Sequence, residues 1–313
     1  MDLTSFLTKS LCIDEASLIS FASTAPHRYK VYDIPKRSGR GKRTIAHPSK
    51  PLKFIQRLIV SELEKNVVVH DSAFAYRKNL SIKDNAMEHS NSKYLLKMDF
   101  KDFFPSITPE VLFQELQRSD INLSDSDREL VSNLLFFKLR KNSRLRLSIG
   151  APSSPLISNF VMYSFDCAIF KICKNQKINY SRYADDITFS SNIKNILFTV
   201  PQIVEETLKS QGYNDIKVNS EKTIFSSKGH NRHVTGITLS NNGNLSVGRD
   251  KKRDLSAGIH RFSRGKMSEG ETSVLLGQLS FAFFIEPQFR ERMQRKYGEG
   301  IFEELRTAIR NCN

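Results

Sequence analysis

The sequence predicts an α+β fold, in which antiparallel strands and helices alternate without the regular strand–helix–strand rhythm of a doubly wound sheet. Three observations predict it. Short β-rich runs at 92–100 and 178–191 end or turn on aspartates. Helical patterns at 51–65, 108–118, 124–139, 155–174 and 201–211 fall irregularly around them. Composition then shifts near 240–248, and a basic, helix-patterned segment runs to the end. With 313 residues, 39% of them apolar, the chain is long enough for a sizeable core. Residues 1–240 are expected to form the main body and 241–313 a small basic helical lobe.

Residues 36–57 carry eight lysines and arginines and no acid. Gly39 and Gly41 punctuate them as a hairpin tip would, and Arg43-Thr44-Ile45-Ala46-His47 alternates like a strand, which reads as a mobile basic flap over phosphates. Pro51 opens the helix at 51–65, and Thr108-Pro109-Glu110 is a cap with proline just inside the next. Residues 155–174 read as one long, mostly apolar core helix. At 178–191 the pattern is strand, tight turn and strand, with Ala184-Asp185-Asp186 at the tip. Two further strand regions are expected around 216–227 and 233–240.

Forty-eight lysines and arginines against 33 acids give +15, an excess that favours a polyanionic partner. No apolar run reaches the roughly 20 residues of a membrane-spanning helix. The start, MDLTSFLTKSLCIDEAS, has neither a basic opening nor a small-residue cleavage site. Nucleic acid is thus the expected partner, with no membrane, and the cytoplasm the expected location. Cys12, Cys167, Cys173 and Cys312 are scattered and show no zinc spacing, and the seven histidines form no metal motif. Any metal chemistry must be carboxylate chemistry.

Three carboxylates suit that role. Asp99 closes one strand, 86 residues before Asp185 and Asp186 in a hairpin turn. Strand ends can hold acids together despite their repulsion, at a cost that a cation removes. Hard oxygen ligands select Mg2+ or Mn2+, and two such ions clamp an in-line phosphoryl displacement.

These segments resemble the reverse transcriptase family over roughly residues 28–240. KRTIAHPSKPLKFIQ and AFAYRKNLSIKDNA (73–86) are similar to its finger motifs, and KMDFKDFFPSI to its first palm motif. IGAPSSPLISN (149–159) resembles its glycine turn, YADDITFS its YxDD box, EKT (221–223) its lysine motif and HVTGITLS (233–240) its primer grip. Asn85-Ala86-Met87-Glu88-His89 and Val234-Thr235-Gly236 match the NAxxH and VTG signatures of retron enzymes.

The resemblance implies a right-hand polymerase: fingers at roughly 1–92 and 105–165, palm at 93–104 and 166–240, and a helical thumb at 241–313. Asp99, Asp185 and Asp186 would hold two Mg2+ ions, with Asp186 serving packing as much as ligation. Lys222 would protonate the departing pyrophosphate, a general-acid role. Lys42 and Arg43 would hold the triphosphate of an incoming deoxynucleotide, near Gly150, and Phe104 would exclude a 2′-hydroxyl while Phe103 joins the core. Tyr183 and Ala184 would underlie the primer end. Asn85, His89, Val234, Thr235 and Gly236 would contact RNA, although a structural pair at a helix end is an equal reading of Asn85 and His89. Arg249, Lys251, Lys252, Arg253 and Arg261 would bind the cognate structured RNA in the thumb. Ile149 departs from the glutamine usual before the glycine, so no side-chain amide contact carries over there.

For a retron enzyme the implied reaction starts from a guanosine 2′-hydroxyl of its own non-coding RNA and yields a branched RNA–DNA product, in antiphage defence with an effector protein. Group II intron and diversity-generating reverse transcriptases, an RNA-dependent RNA polymerase and a non-catalytic RNA-binding scaffold are the alternatives. Phe104 speaks against the RNA polymerase, and the intact acids speak against the scaffold.

Overall fold

Asp2 and Asp14 accept the N–H groups of Ser5 and Ser17 and so cap the first helices, α1 (Leu3–Leu11) and α2 (Glu15–Thr24). The computed structural model describes residues 2–36 and 41–310, with side chains as far as 308. Strands β1 (Tyr29–Pro35) and β2 (Lys42–Pro48) pair antiparallel from Tyr29 opposite Pro48 to Pro35 opposite Lys42. This is the ribbon expected of the basic segment; the tip expected at Gly39 lies outside the described residues. Helix α3 (Lys50–Leu63) has Pro51 in its first turn and buries Leu52, Ile55, Ile59 and Leu63. The short α4 (Ile82–Met87) is held by reciprocal bonds between Ser81 and Asp84.

Strand β3 (Tyr94–Lys101) leads through Asp102, in the left-handed conformation at φ 47°, to α5 (Phe103–Ser106). Two helices follow, α6 (Pro109–Arg118) and α7 (Asp125–Leu135). Thr108 stands at the α6 N-terminus without a side-chain cap bond, and α7 stops at Leu135, short of the expected 139. There Phe137 and Arg146 exchange backbone hydrogen bonds instead (3.0 and 3.1 Å).

The single helix expected at 155–174 is two: α8 (Ser154–Phe160) and α9 (Tyr163–Asn175), bent by 46°. Distant side chains enter the ladder at the break. Tyr213 Oη donates to the Val161 carbonyl (2.7 Å), and buried Glu115 accepts both the N–H and the hydroxyl of Ser164 (3.0 and 2.7 Å).

Strands β4 (Asn179–Tyr183) and β5 (Asp186–Ser191) form the expected hairpin, followed by α10 (Val200–Ser210), β6 (Lys217–Val218) and β7 (Ile224–Ser227). β5 lies between β4 and β3, while β6 and β7 pair with successive parts of β3, all antiparallel. A second sheet holds β8 (Arg232–Val234), β9 (Ile237–Leu239) and β10 (Leu245–Ser246), and the chain closes with α11 (Arg249–Ser263), α12 (Glu269–Ile285), α13 (Pro287–Tyr297) and α14 (Ile301–Arg310).

Side chains alternate across a strand, and β3 uses both of its faces. Leu96, Met98 and Phe100 enter one apolar core together with Tyr180, Ile187, Phe189 and helices α1 to α3 and α5 to α10. Leu95, on the opposite face, enters a second core with Ala86, Val234, Ile237, Leu279 and Leu305. The β8–β10 strands thus share their interior with the C-terminal helices.

Candidate active site

On the face of β3 that carries Leu95, the next outward positions are Lys97 and Asp99. Asp99 stands opposite Asp186 on β5, and Tyr183 opposite the same Asp186 on β4. Only Ala184 and Asp185 remain for the turn, which the Phe100 N–H closes onto the Asp185 carbonyl (3.0 Å). Ala184 adopts φ 58°, a conformation that a small side chain tolerates best.

Buried Arg182 secures that turn from below. It forms a two-pronged pair with Asp166 of α9 (Nη2–Oδ2 2.6 Å, Nε–Oδ1 2.9 Å), and both side chains are fully enclosed. Its other guanidinium nitrogen donates to the Ala184 carbonyl (3.3 Å) and to Asn159 Oδ1 (3.2 Å), and Asn159 in turn donates to the Ala75 carbonyl (2.7 Å). The same network therefore holds the Asp-bearing turn and the 73–76 loop. Tyr76, at φ 62°, leaves that loop toward the carboxylates. Burial first, then Asp185 and Tyr183, raise its phenol's pKa.

The three acids feel one another. Partial burial, then the charge of Asp99, raises the pKa of Asp185. Asp186 is pushed up to about 6 by desolvation, then by Asp185 and Asp99; solvent reaches it, but the neighbouring walls and like charges outweigh that access. Nearby cations oppose this, Lys222 and Arg43 at Asp185 and Lys222 and Lys97 at Asp186. Lys222 Nζ donates to Asp99 Oδ2 (2.7 Å), and Asn219 Nδ2 donates to Asp99 Oδ1 (3.3 Å). Burial works against the Lys222 charge, but its bond to Asp99 and the other two acids win, and its pKa is raised.

In donor chemistry the set fits a hard divalent cation: three carboxylates at one sheet end, two of them made proton-hungry by burial and then by crowding. In arrangement the ligand shell is incomplete. Among the described residues no three acidic, imidazole or thiol groups stand in a metal-holding cluster, and the Lys222 ammonium sits on Asp99 as counter-charge.

The remaining expected site residues divide. Arg43 is exposed on β2 and within electrostatic reach of Asp185 and Tyr76; Lys42, its exposed neighbour, faces the other side of the ribbon by alternation. Gly150, at φ 122°, lies under β2: a Cβ there would stand 3.2 Å from the Ala46 carbonyl, and the Ala46 N–H bonds the Ile149 carbonyl (3.0 Å). Phe104 is partly exposed beside Asp102, whereas Phe103 is buried and packs on Phe100.

Asn85, His89 and Val234, expected to contact RNA, are buried, at 1%, 0% and 0% exposure, which favours the structural reading of Asn85 and His89. Thr235 (φ 47°) and Gly236 (φ 82°) form the two-residue turn between β8 and β9, Gly236 exposed and Thr235 partly so. Lys252 is partly exposed, and its ammonium is engaged within the lobe by Glu286 (3.1 Å) and Ser246 (3.0 Å). Arg249, Lys251, Arg253 and Arg261 are exposed, with Lys251 over the Phe281 ring at 4.6 Å and Arg253 and Arg261 in loose pairs with Asp250 and Glu271. Sequence reasoning passed over Arg182, Asp166, Asn159, Asn219, Lys97 and Tyr76. A lone aspartate inside the apolar 155–174 run was the available signal for the Arg182–Asp166 pair.

An antiparallel sheet with paired aspartates at one end, a lysine upon them and a basic ribbon nearby defines a template-directed polymerase of the right-hand type. The family model described as "Reverse transcriptase (RNA-dependent DNA polymerase)" matches residues 34–239. The chain belongs to the reverse transcriptase family, and within it to the bacterial retron type; its activity is RNA-directed DNA polymerisation. It is 47% identical to Retron Ec83 reverse transcriptase of Escherichia coli over 280 residues, 89% of each chain. It is 34% identical to Retron Ec73 reverse transcriptase of the same organism, over 92% of this chain and 95% of that one. Among solved structures, telomerase from Candida albicans in complex with a fragment of telomeric RNA superimposes with a TM-score of 0.50 at 14% identity, covering 89% of this chain and 61% of that one; this likeness concerns the fold alone.

Proposed function

We propose that this retron polymerase copies part of its own structured non-coding RNA into single-stranded DNA (msDNA), primed from a guanosine 2′-hydroxyl, by two-metal-ion nucleotidyl transfer. The observation that carries the reading is the register placing Asp99 opposite Asp186, with Asp185 in the intervening turn. Asp99, Asp185 and Asp186 would hold the ions, Mg2+ in the first instance, which when bound activate the attacking hydroxyl and neutralise charge on the leaving phosphates.

The protein's own groups do the rest. Arg43 supplies a fork of donors to the deoxynucleotide triphosphate. Lys222, released from Asp99, carries a proton that the departing pyrophosphate can take. Phe104 restricts the space beside the sugar, and Arg182 keeps the Ala184-Asp185 turn in register with β3. Exposed Arg249, Lys251, Arg253 and Arg261 offer phosphate contacts to the folded RNA. The reading extends to a cytoplasmic role in antiphage defence with an effector protein, supported by the kinship with retron enzymes.

Asp185→Ala tests the core of it. Extension of a primed RNA template should be abolished while RNA affinity measured by filter binding stays intact. Undiminished extension would refute the assignment. Isolation of a branched RNA–DNA species with the protein from cells tests the priming.

A further inference from the structure

The two retron signatures meet in the folded chain, and neither meets the aspartates. His89 lies beneath the catalytic hairpin, with Nδ1 2.8 Å from Ser190 Oγ on β5 and Nε2 2.7 Å from Ser181 Oγ on β4. Ser190 gives its single proton to Ser92 Oγ (2.9 Å), so Nδ1–H donates to Ser190 and Nε2 accepts from Ser181. Burial pushes the imidazole's pKa down to about 3, so it stays neutral. Asn179 of β4 adds bonds to the Glu88 carbonyl (3.2 Å) and to Ser92 Oγ (3.3 Å). Ser181 and Ser190 share the sheet face of Asp186 and Asp99, with Ser190 four residues, roughly 13 Å, along the strand from Asp186.

The other end of this segment belongs to the C-terminal lobe. Ala86 is fully buried among Val234, Ile237 and Leu279. The Ile82 carbonyl accepts from Thr235 Oγ1 (3.3 Å), and Lys83 Nζ donates to the Phe284 carbonyl of α12 (2.9 Å) with the Phe284 ring beneath it at 5.0 Å. Buried Arg232 of β8 joins the Ser92 carbonyl to that of Ser240. Residues 81–92 therefore bond the hairpin at one end and the lobe at the other.

We propose that residues 81–92 act as a strut fixing the C-terminal lobe against the Asp-bearing hairpin, with His89 and Thr235 as positioning residues for DNA synthesis. The inference rests on the catalytic reading of the three aspartates. Its physical basis is that the buried bonds of His89 have no substitute partners, which fixes the hairpin end, while the buried packing of Ala86 seats the lobe end. It assigns the NAxxH segment to turnover instead of RNA affinity.

The test uses the full chain with poly(rA)–oligo(dT), dTTP and Mg2+. For His89→Ala, kcat should fall about 10-fold or more, while KM for dTTP and template–primer affinity stay within about 2-fold of wild type. His89→Gln, whose amide can both donate and accept, should recover part of the loss, and Thr235→Val should lower kcat in the same selective way. If affinity falls in step with kcat, or if kcat is unchanged below the melting temperature while only that temperature drops, the strut is overturned. Should His89→Ala fail to fold, Ser190→Ala, which removes one ring contact, is read by the same criteria. A parallel Asp185→Ala that still extends DNA would instead fail the catalytic reading.

Discussion

Single side chains here do work that neighbours in sequence do not disclose. Asp186 is an acid whose folded pKa is raised, to about 6, above its usual 3.8. Between those values the folded state binds more proton than the unfolded one, so this group's contribution is most favourable at low pH and is lost as pH rises through about 6. In chelator, Asp186→Asn should therefore raise the melting temperature at pH 7, and the gain should vanish below pH 4; a gain independent of pH would contradict the crowding. At Phe104, substitution by Ala should cut discrimination against ribonucleotides by about 10- to 100-fold, read from single-nucleotide incorporation of dNTP and rNTP. The residue types of the site were legible, since acids at strand ends and a ring five positions beyond Asp99 announce themselves. The partners were not. Nothing local to Lys252 reveals that Glu286 will take its charge, and nothing local to His89 reveals Ser181 and Ser190.

Elements were legible where their cause is local. The 178–191 hairpin follows from alternating apolar residues around a two-residue turn, and α3 follows from its proline and its apolar spacing. The α8–α9 break was illegible because its cause is tertiary: Tyr213 and Glu115 take bonds that a continuous helix would keep. The break matters for the site, as it lets Asn159 on α8 and Asp166 on α9 both reach Arg182. Removing one partner of a fully buried pair leaves an uncompensated charge, so Asp166→Ala should cost about 3–5 kcal/mol in urea unfolding. Because Arg182 also bonds the Ala184 carbonyl, extension should weaken even under conditions where the variant is folded.

At the scale of the whole molecule, a charge of +15 makes association with nucleic acid an electrostatic event. Affinity for structured RNA should fall by about 10³-fold between 50 and 200 mM salt, as counterion release requires; a flat salt profile would mean that the exposed arginines and lysines are spectators. The overall class was open to sequence reasoning, but the sharing of one strand between two interiors was not, because alternation marks two faces without saying what covers them. That sharing has a kinetic meaning. Tyr94–Lys101 is the seam at which both apolar bodies must be stitched, and its strand partners leave the ribosome after it, Phe189 of β5 and then Phe225 of β7, with Leu279 and Leu305 of the second interior later still. A nascent chain thus keeps one face of this strand incompletely covered until α12 and α14 emerge.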